Sequence, residues 1–218
     1  MTESDTDPDH RQRSVVVRIK ELAERDRRRL LMHFLSLDEK DRLLRFGTVL
    51  PDEAVTRYVQ MLNFARDTVF GVYDGKFKLI AVGHLAFAPR EALPAVTHAT
   101  LKERVAEFGV SVSTSARGMG IGSRLFERAA MHCRNADVDT LYMHCLSSNQ
   151  AMIHIAQKAG MTIHRDYGES DAYLRLDPAS PASMMKEALE EQVATLDYTL
   201  KANARAAGRW LQNLSGSK

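Results

Sequence analysis

The spacing of apolar residues changes within one stretch of the chain, residues 106–134. In the first half they alternate, which is the period of a half-buried strand. In the second half they recur every three to five residues, which is the period of a helix with one buried stripe. The alternating residues are Ala106, Phe108, Val110 and Val112, and the helical ones are Leu125, Phe126, Ala129, Ala130 and Cys133. The stretch therefore predicts a strand followed by a helix, with a glycine-rich turn at residues 117–123 between them.

The glycine-rich turn has the composition of an anion-binding site. Glycine tolerates positive φ and lets backbone N–H groups approach a ligand, and a helix N-terminus adds a positive dipole end. Phosphate is the usual ligand of such turns. A Walker A loop is excluded because Gly122 is followed by Ser123 and Arg124 rather than by Lys and Ser or Thr. A dinucleotide fingerprint starting at Gly118 is disfavoured because that motif normally follows the first strand of its domain.

The turn does satisfy a third pattern, R/Q-x-x-G-x-G/A, through Arg117, Gly120 and Gly122. Here the chain resembles the GNAT superfamily of N-acyltransferases, which take an acetyl group from acetyl-CoA. A strand carrying Glu107 precedes the turn, and the later stretch LYMHCLSSNQAMIHIAQKAG at residues 141–160 looks like the family's next strand, Asn-bearing turn and helix. The resemblance implies an α/β fold with a mixed, mostly antiparallel central sheet of six to seven strands, flanking helices and a long C-terminal helix.

The resemblance also implies a cofactor site. Acetyl-CoA would be the co-substrate, with its pyrophosphate on the glycine-rich turn. The strand predicted at residues 140–146 should run parallel to the Glu107 strand, and in the family these two strands splay apart so that pantetheine fills the gap. The expected cofactor-binding residues are Val110, Val112, Arg117, Gly118, Met119, Gly120, Ile121, Gly122, Ser123 and Asn149. Asn149 could equally be an ordinary helix N-cap.

Glu107 is the expected general base. In the family a Tyr in the helix after Asn149 often protonates the leaving thiolate, but the matching residue here is Ala156. Tyr142, His144, Tyr167 and Tyr173 are conceivable substitutes. The predicted function is transfer of acetyl from acetyl-CoA directly to a primary amine of a small molecule or a protein lysine. The alternative is a non-catalytic acyl-CoA-binding regulatory module. No metal is expected, since the two cysteines show no ligand spacing.

The other elements follow from shorter patterns. A first strand is predicted at residues 14–19, and a β-hairpin is predicted across Asp74, Gly75 and Lys76. Ser36 and Glu39 have the spacing of a capping box, which predicts a helix starting near Asp38. The remaining predictions are helices at 24–36, 38–46 and 51–62, hairpin strands at 68–73 and 77–88, a loop at 89–100, and closing strands at 161–165 and 172–176.

Three parts of the chain are predicted: a disordered polar tail at residues 1–13, the GNAT-like domain at 14–178, and an amphipathic helix at 179–218. The apolar stripe of this helix comprises Leu189, Val193, Leu196, Leu200, Ala204, Ala207, Leu211 and Leu214. We expect the helix to pack on its own domain, with a homodimer contact as the alternative.

Charge and hydropathy exclude some partners. Lys and Arg number 30 against 28 Asp and Glu, for a net charge of +2, which gives no reason to expect nucleic-acid or membrane binding. The sequence has no run of 18 apolar residues, and its first residues lack the apolar core of a signal peptide. A cytoplasmic location is the corresponding expectation.

Overall fold

The computed structural model describes residues 17–87 and 104–215, with side chains to residue 206. Strands and helices follow each other along this part of the chain. The strands of the described part are β1 Ile19–Glu21, β2 Thr68–Tyr73, β3 Leu79–Phe87, β4 Val105–Val112, β5 Thr140–Leu146, β6 Thr162–Asp166 and β7 Glu169–Arg175. The helices are α1 Arg27–Leu35, α2 Glu39–Phe46, α3 Asp52–Met61, α4 Ile121–Asn135, α5 Gln150–Lys158 and α6 Pro181–Ser215.

The seven strands of the described part form one sheet in the order β1-β2-β3-β4-β5-β7-β6. Neighbouring strands are antiparallel except for β4 and β5, which are parallel because α4 crosses over between them. This confirms the predicted fold class, a mixed and mostly antiparallel sheet with flanking helices and a long C-terminal helix.

Most predicted elements are confirmed, with small shifts at their ends. The β2–β3 hairpin turns where predicted, and the Asp74 carboxylate accepts hydrogen bonds from the backbone N–H groups of Lys76 and Lys78. The second hairpin strand starts at Leu79 rather than at Phe77, because Phe77 has a φ of 60° and belongs to the turn. The first described strand is Ile19–Glu21, and Val17 and Arg18 before it are not in a strand, so this part of the prediction for residues 14–19 was placed too early. Residues 14–16 lie outside the described residues.

The capping residue of α2 is Asp38 and not Ser36. The Asp38 backbone is extended and its carboxylate accepts a hydrogen bond of 2.8 Å from the Asp41 N–H. The Ser36 hydroxyl instead donates to the His33 carbonyl at the end of α1. The helix therefore begins where it was predicted, near Asp38, but Ser36 does not cap it, because Ser36 stays bonded to the preceding helix across the three-residue connection 36–38.

Two hydrophobic cores lie on opposite faces of the sheet. One lies under α4 and α5 and includes Phe108, Leu125 and Leu141. The other lies under α1 and α3 and includes Phe34 and Val55. β4 and β5 contribute to the first core with every second residue, so their alternate residues are directed to the opposite face, where α2 lies.

The long helix α6 packs on its own domain, against β1 and α4. It does so with the face opposite to the predicted one: Leu189, Val193, Leu196 and Leu200 are exposed, whereas Ala194 is buried. Within residues 17–87 and 104–215 no helix combines the length and the hydropathy needed to cross a bilayer. The predictions of a tail at residues 1–13 and a loop at 89–100 fall outside the described residues.

Candidate active site

The parallel strands β4 and β5 diverge after a short paired segment. They pair only from Val105 opposite Thr140 to Glu107 opposite Tyr142. On its other side β4 stays paired with β3 as far as Val112. The β4 backbone beyond Glu107 therefore has no strand on its β5 side, and its N–H and C=O groups face an opening. This is the splayed arrangement that the resemblance implied.

Glu107 lies where β4 and β5 separate, and its side chain is exposed. The neighbouring residues Ala106 and Phe108 are buried in the core under α4, so Glu107 is directed to the α2 side of the sheet. The register of β4 against β3 is continuous from Ala106 to Val112, so no bulge redirects it. Among the described residues, no hydrogen bond or ion pair engages the Glu107 carboxylate.

The glycine-rich turn lies at the open end of this gap. Gly118 and Gly120 have φ values of 74° and 72°, a region that favours glycine, and α4 starts immediately afterwards at Ile121. Open space surrounds both glycines. Gly122 lies in the first helical turn, where an added Cβ would approach the Ile155 Cδ1 to 3.0 Å. The first N–H groups of α4 therefore lack intrahelical acceptors beside an open surface, as an anion site requires.

The two polar side chains predicted to touch the cofactor bind α2 in this structure. Arg117 forms an ion pair with Asp41, and its Nε donates to the Val112 carbonyl at 3.3 Å. Asn149 is buried, accepts from the Met152 N–H at 3.2 Å as the N-cap of α5, and donates to the Leu44 carbonyl at 3.1 Å. Asn149 is therefore an N-cap, as the alternative interpretation had it.

Tyr142 belongs to a polar cluster that the structure assembles around Asp171. The Tyr142 hydroxyl donates to Asp171 at 2.5 Å, His144 Nδ1 lies 2.8 Å from the same carboxylate, and Tyr142 stacks on Tyr173 with ring centroids 5.1 Å apart. Burial and the Asp171 carboxylate raise the pKa of Tyr142 well above its usual value, so the phenol keeps its proton. The sequence analysis missed Asp171, because β7 places it next to β5 through a register that no local pattern shows.

The other tyrosines considered as a general acid lie outside the β4–β5 pair that holds Glu107. Tyr167 has a φ of 40° in the β6–β7 turn and is fully exposed. The Tyr173 hydroxyl is buried and has no hydrogen-bond partner among the residues that the structure describes. Ala156 is in the core under α5, so the helix that carries the family's Tyr has an apolar residue there.

Arg45 of α2 is a second residue that sequence reasoning missed. Its guanidinium lies against Gly109, where an added Cβ would be 2.9 Å from the Arg45 Cζ, and it donates to the Tyr58 hydroxyl at 3.0 Å. Tyr58 in turn contacts His84 at 3.0 Å. Burial and the Arg45 charge lower the pKa of His84 to about 4, so this histidine is neutral and packed. Arg45 thus places a positive charge on the Glu107 face of β4.

Metal and thiol chemistry have no assembled site in the described residues. No group of three His, Cys, Asp or Glu side chains there is arranged to hold a metal ion. Burial raises the pKa of Cys133 to about 12 and that of Cys145 to about 11. Both thiols stay protonated at neutral pH and are poor nucleophiles.

Comparison with known proteins identifies the class. The sequence model of the acetyltransferase (GNAT) family matches residues 39–161, which is more than half of the chain. The chain belongs to this family. Its enzymes use acyl-CoA, and membership supports acyl transfer as the general activity. A search of curated proteins finds no match.

Solved structures agree with the fold. The GNAT domain of S. lividans PAT superposes with a TM-score of 0.60 at 22% identity, over 74% of this chain and 95% of that one. An N-acetyltransferase from Staphylococcus aureus Mu50 has a TM-score of 0.55 at 16% identity, over 74% and 99%. A cAMP-binding acyltransferase from Mycobacterium smegmatis has a TM-score of 0.50 at 17% identity, over 84% of this chain and 52% of that one. At these identities the likeness shows the fold alone.

Proposed function

We propose that this protein is an N-acetyltransferase that moves an acetyl group from acetyl-CoA directly to a primary amine of a small molecule or a protein lysine. The observation that carries the proposal is the opening between β4 and β5, with Glu107 at its closed end and the glycine-rich turn at its open end. Family membership supports acyl-CoA as the donor. No helix among the described residues could cross a membrane. We propose that the protein works in the cytoplasm.

The cofactor would extend along the free edge of β4. Backbone N–H groups of residues 117–123 would bind pyrophosphate, and the backbone near Val110 and Val112 would bind pantetheine. From Val112 back to Glu107 the strand covers about 16 Å at roughly 3.3 Å per residue, a span comparable to an extended pantetheine. An anchored cofactor would thus bring its thioester to Glu107. The Arg117 and Asn149 side chains contact α2, so backbone groups supply most of the anion site.

Glu107 would remove the ammonium proton, directly or through water. An amine resembling Lys has a pKa of about 10.4, so it must lose a proton before it attacks the thioester at neutral pH. The β4 N–H groups would polarise the thioester carbonyl. No covalent enzyme intermediate is needed, in agreement with the high pKa values of both thiols.

Tyr142 is the residue best placed to protonate the leaving thiolate. It lies directly opposite Glu107 in the last β4–β5 pair, and its hydroxyl retains its proton. Its hydrogen bond to Asp171 would have to be exchanged for one to the sulfur. The apolar Ala156 is the observation that favours the second candidate function, a non-catalytic acyl-CoA-binding regulatory module.

The test measures free thiol released from acetyl-CoA with a panel of primary amines, polyamines and lysine peptides. With an accepted amine, Glu107→Gln should lower kcat/KM by about 10²- to 10⁴-fold with little change in acetyl-CoA affinity, because the amide has the same shape and no basicity. The loss should shrink as pH rises and free amine becomes abundant. Glu53→Gln, an exposed carboxylate on α3, is the matched control and should keep full activity.

Two results would contradict the proposal. Near wild-type activity of Glu107→Gln at neutral pH would remove Glu107 as the base. Tight acetyl-CoA binding without turnover of any acceptor would favour the regulatory module.

A further inference from the structure

The guanidinium of Arg45 lies flat against Gly109 of β4. A Cβ added to Gly109 would be 2.9 Å from the Arg45 Cζ, 2.9 Å from its Nη1 and 3.0 Å from its Nη2. The three atoms are at nearly equal distances from that position, so the planar group lies across it. The φ of Gly109 is not positive. Glycine is therefore required at this position by the space that the guanidinium occupies, and not by the backbone conformation.

The charge of Arg45 has no carboxylate partner in the described part of the chain. Among these residues Arg45 forms no ion pair and one hydrogen bond, from its Nη2 to the Tyr58 hydroxyl at 3.0 Å. Its Nε is buried and has no acceptor there. The ring centroids of Phe34, Phe46 and Tyr58 lie 5.8, 5.2 and 5.8 Å from its Cζ. Aromatic faces attract a cation, but they do not cancel its charge.

The polar groups next to Arg45 do not neutralise it either. The Tyr58 hydroxyl lies 3.0 Å from Nδ1 of His84, and this histidine is neutral because burial and the Arg45 charge lower its pKa to about 4. Beyond it, the Asp67 carboxylate lies 3.5 Å from His84 Nε2 and pairs with Arg66 at 3.1 Å. A partly buried charge without a counter-charge is unfavourable. An anion brought by a ligand would relieve this cost.

Arg45 and Glu107 stand side by side on one face of β4. Residues 107 and 109 share a face, and their side chains start about 7 Å apart at roughly 3.3 Å per residue. The Arg45 guanidinium fills the side-chain position of Gly109. No ion pair joins it to Glu107 in the described part of the chain. The strand therefore presents a carboxylate and a guanidinium at a spacing of about the length of one amino acid, whose ammonium and carboxylate are the complementary pair of charges.

We propose that Arg45 binds a carboxylate of the acceptor, and that the acceptor is a small amino acid with its amine directed to Glu107. This inference rests on the proposed acetyl transfer and narrows its acceptor class. A guanidinium matches a carboxylate with two parallel hydrogen bonds. Polyamines and the lysine side chains of proteins have no carboxylate a few bonds from the amine, so they would lack this contact.

The acyl donor is a less suitable source of the carboxylate. A cofactor anchored at the glycine-rich turn would pass Gly109 before it reaches Glu107, because Gly109 lies between the two along β4. Its acyl group leads, so a longer acyl chain would extend beyond Glu107 and away from Arg45. The acceptor instead approaches on the α2 side of the sheet, to which Glu107 is directed and on which Arg45 lies.

The first experiment compares amino acids with their α-amides as acceptors. Each amide keeps the amine and the side chain of its amino acid and loses the negative charge. Free thiol released from acetyl-CoA should show at least one amino acid whose kcat/KM exceeds that of its amide by about tenfold or more. Arg45→Met keeps a long side chain among the three rings and removes the charge.

For that amino acid Arg45→Met should raise KM by about 10- to 100-fold, whereas its kcat and both constants of the amide should stay within about threefold. Arg57→Met, at an exposed arginine on α3, is the matched control and should keep the wild-type preference. The melting temperature of each variant shows that it is folded.

The second experiment moves the guanidinium without removing it. The methyl group of Gly109→Ala would overlap the Arg45 guanidinium, which is the far end of a flexible side chain and can shift. KM for the amino acid should rise by about threefold or more, and the amide should be unaffected. Calorimetry with the CoA-bound protein measures amino acid binding independently of turnover, and Arg45→Met should abolish it.

Four results would overturn the inference. Equal kcat/KM for every amino acid and its amide, with transfer intact, excludes the carboxylate site and leaves the proposed function standing. An equal loss for both acceptors in Arg45→Met assigns Arg45 to packing or to the thioester carbonyl. An Arg45-dependent preference for succinyl-CoA over acetyl-CoA assigns the site to the donor.

The fourth result is a CoA-bound protein that binds no amino acid in calorimetry. If no amine is turned over at all, the proposed function fails by itself. In that case, amino acid binding that is lost in Arg45→Met would still support the carboxylate site.

Discussion

Gly120 and Gly122 lie two residues apart, and the structure assigns a different reason to each. Gly120 has a φ of 72° in open space, so its backbone conformation, and not a neighbouring atom, disfavours a side chain. Gly122 has no such φ, but a Cβ there would press on Ile155 of α5. The first glycine shapes the turn proposed to bind the cofactor, and the second allows α4 and α5 to approach each other.

Gly120→Val should weaken acetyl-CoA binding by about tenfold or more, because a β-branched residue resists positive φ and the turn would rearrange. Gly160→Val is the matched control, since Gly160 has a φ of 71° in open space after α5 and is remote in sequence from the turn. Both variants should lose a similar stability, on the order of 1–3 kcal/mol. Calorimetry with acetyl-CoA checks the affinity, and an equal loss of affinity in both variants would place the anion elsewhere.

Among the elements, α2 is the one that links the candidate site to the rest of the domain. It contacts both β4 and β5 and binds the glycine-rich turn through the Asp41–Arg117 ion pair. It binds the start of α5 through the Asn149 amide. The position of α2 therefore depends on the two loops that frame the opening.

Asn149 variants separate its two structural contacts. Asn149→Ala should lower the free energy of unfolding by about 1–3 kcal/mol, because it removes the N-cap of α5 and leaves the Leu44 carbonyl without its donor. Asn149→Ser keeps a capping oxygen and loses only the contact with Leu44, so it should be the more stable by about 1 kcal/mol. Urea denaturation measures both. Equal stabilities would show that the cap contributes nothing to α5.

In the molecule as a whole, α6 joins the two ends of the described chain. Glu187 pairs with Arg128 and His132 on α4, Asp197 pairs with Arg18 before β1, and Tyr198 reaches the fully buried Asp26. These contacts join segments that are far apart in sequence. α6 therefore stabilises the domain by packing along its β1 edge.

The α6 contacts should weaken in acid. Burial alone would raise the pKa of Glu187, but hydrogen bonds from His132, Asn135 and Arg128 lower it from 4.5 to about 2. A carboxylate whose pKa is lower in the folded state than in the unfolded state stabilises the fold at pH values above its unfolded-state pKa. This contribution is therefore complete above pH 4.5 and disappears as pH falls towards 2. Its size is on the order of 1 kcal/mol after allowance for solvent screening.

Urea midpoints of wild type and Glu187→Gln between pH 2 and pH 7 measure this contribution. Wild type should be the more stable protein at neutral pH, and the difference should close below pH 4.5. A difference that is independent of pH would show that the carboxylate charge is not what holds α6.

Local spacing alone was enough to predict several elements, whereas the fold class rested on the resemblance to the GNAT superfamily. The change of period at residues 106–134, the Asp-Gly turn of the β2–β3 hairpin and the glycine-rich turn each predicted their elements, and the crossover helix predicted that β4 and β5 are parallel. These features depend on residues within about one or two turns of each other, which is why a single sequence reveals them.

The tertiary structure decided which surfaces meet. The periodicity of α6 shows an apolar stripe, yet the domain binds the opposite face because Glu187, Tyr198 and Lys201 find partners on α4, just before α1 and on β2. The pairing of β5 with β7 brings Asp171 to Tyr142, and the packing of α2 engages Arg117 and Asn149. Such contacts join residues from about 30 to 170 positions apart, and their geometry depends on strand register and helix packing that no short pattern encodes.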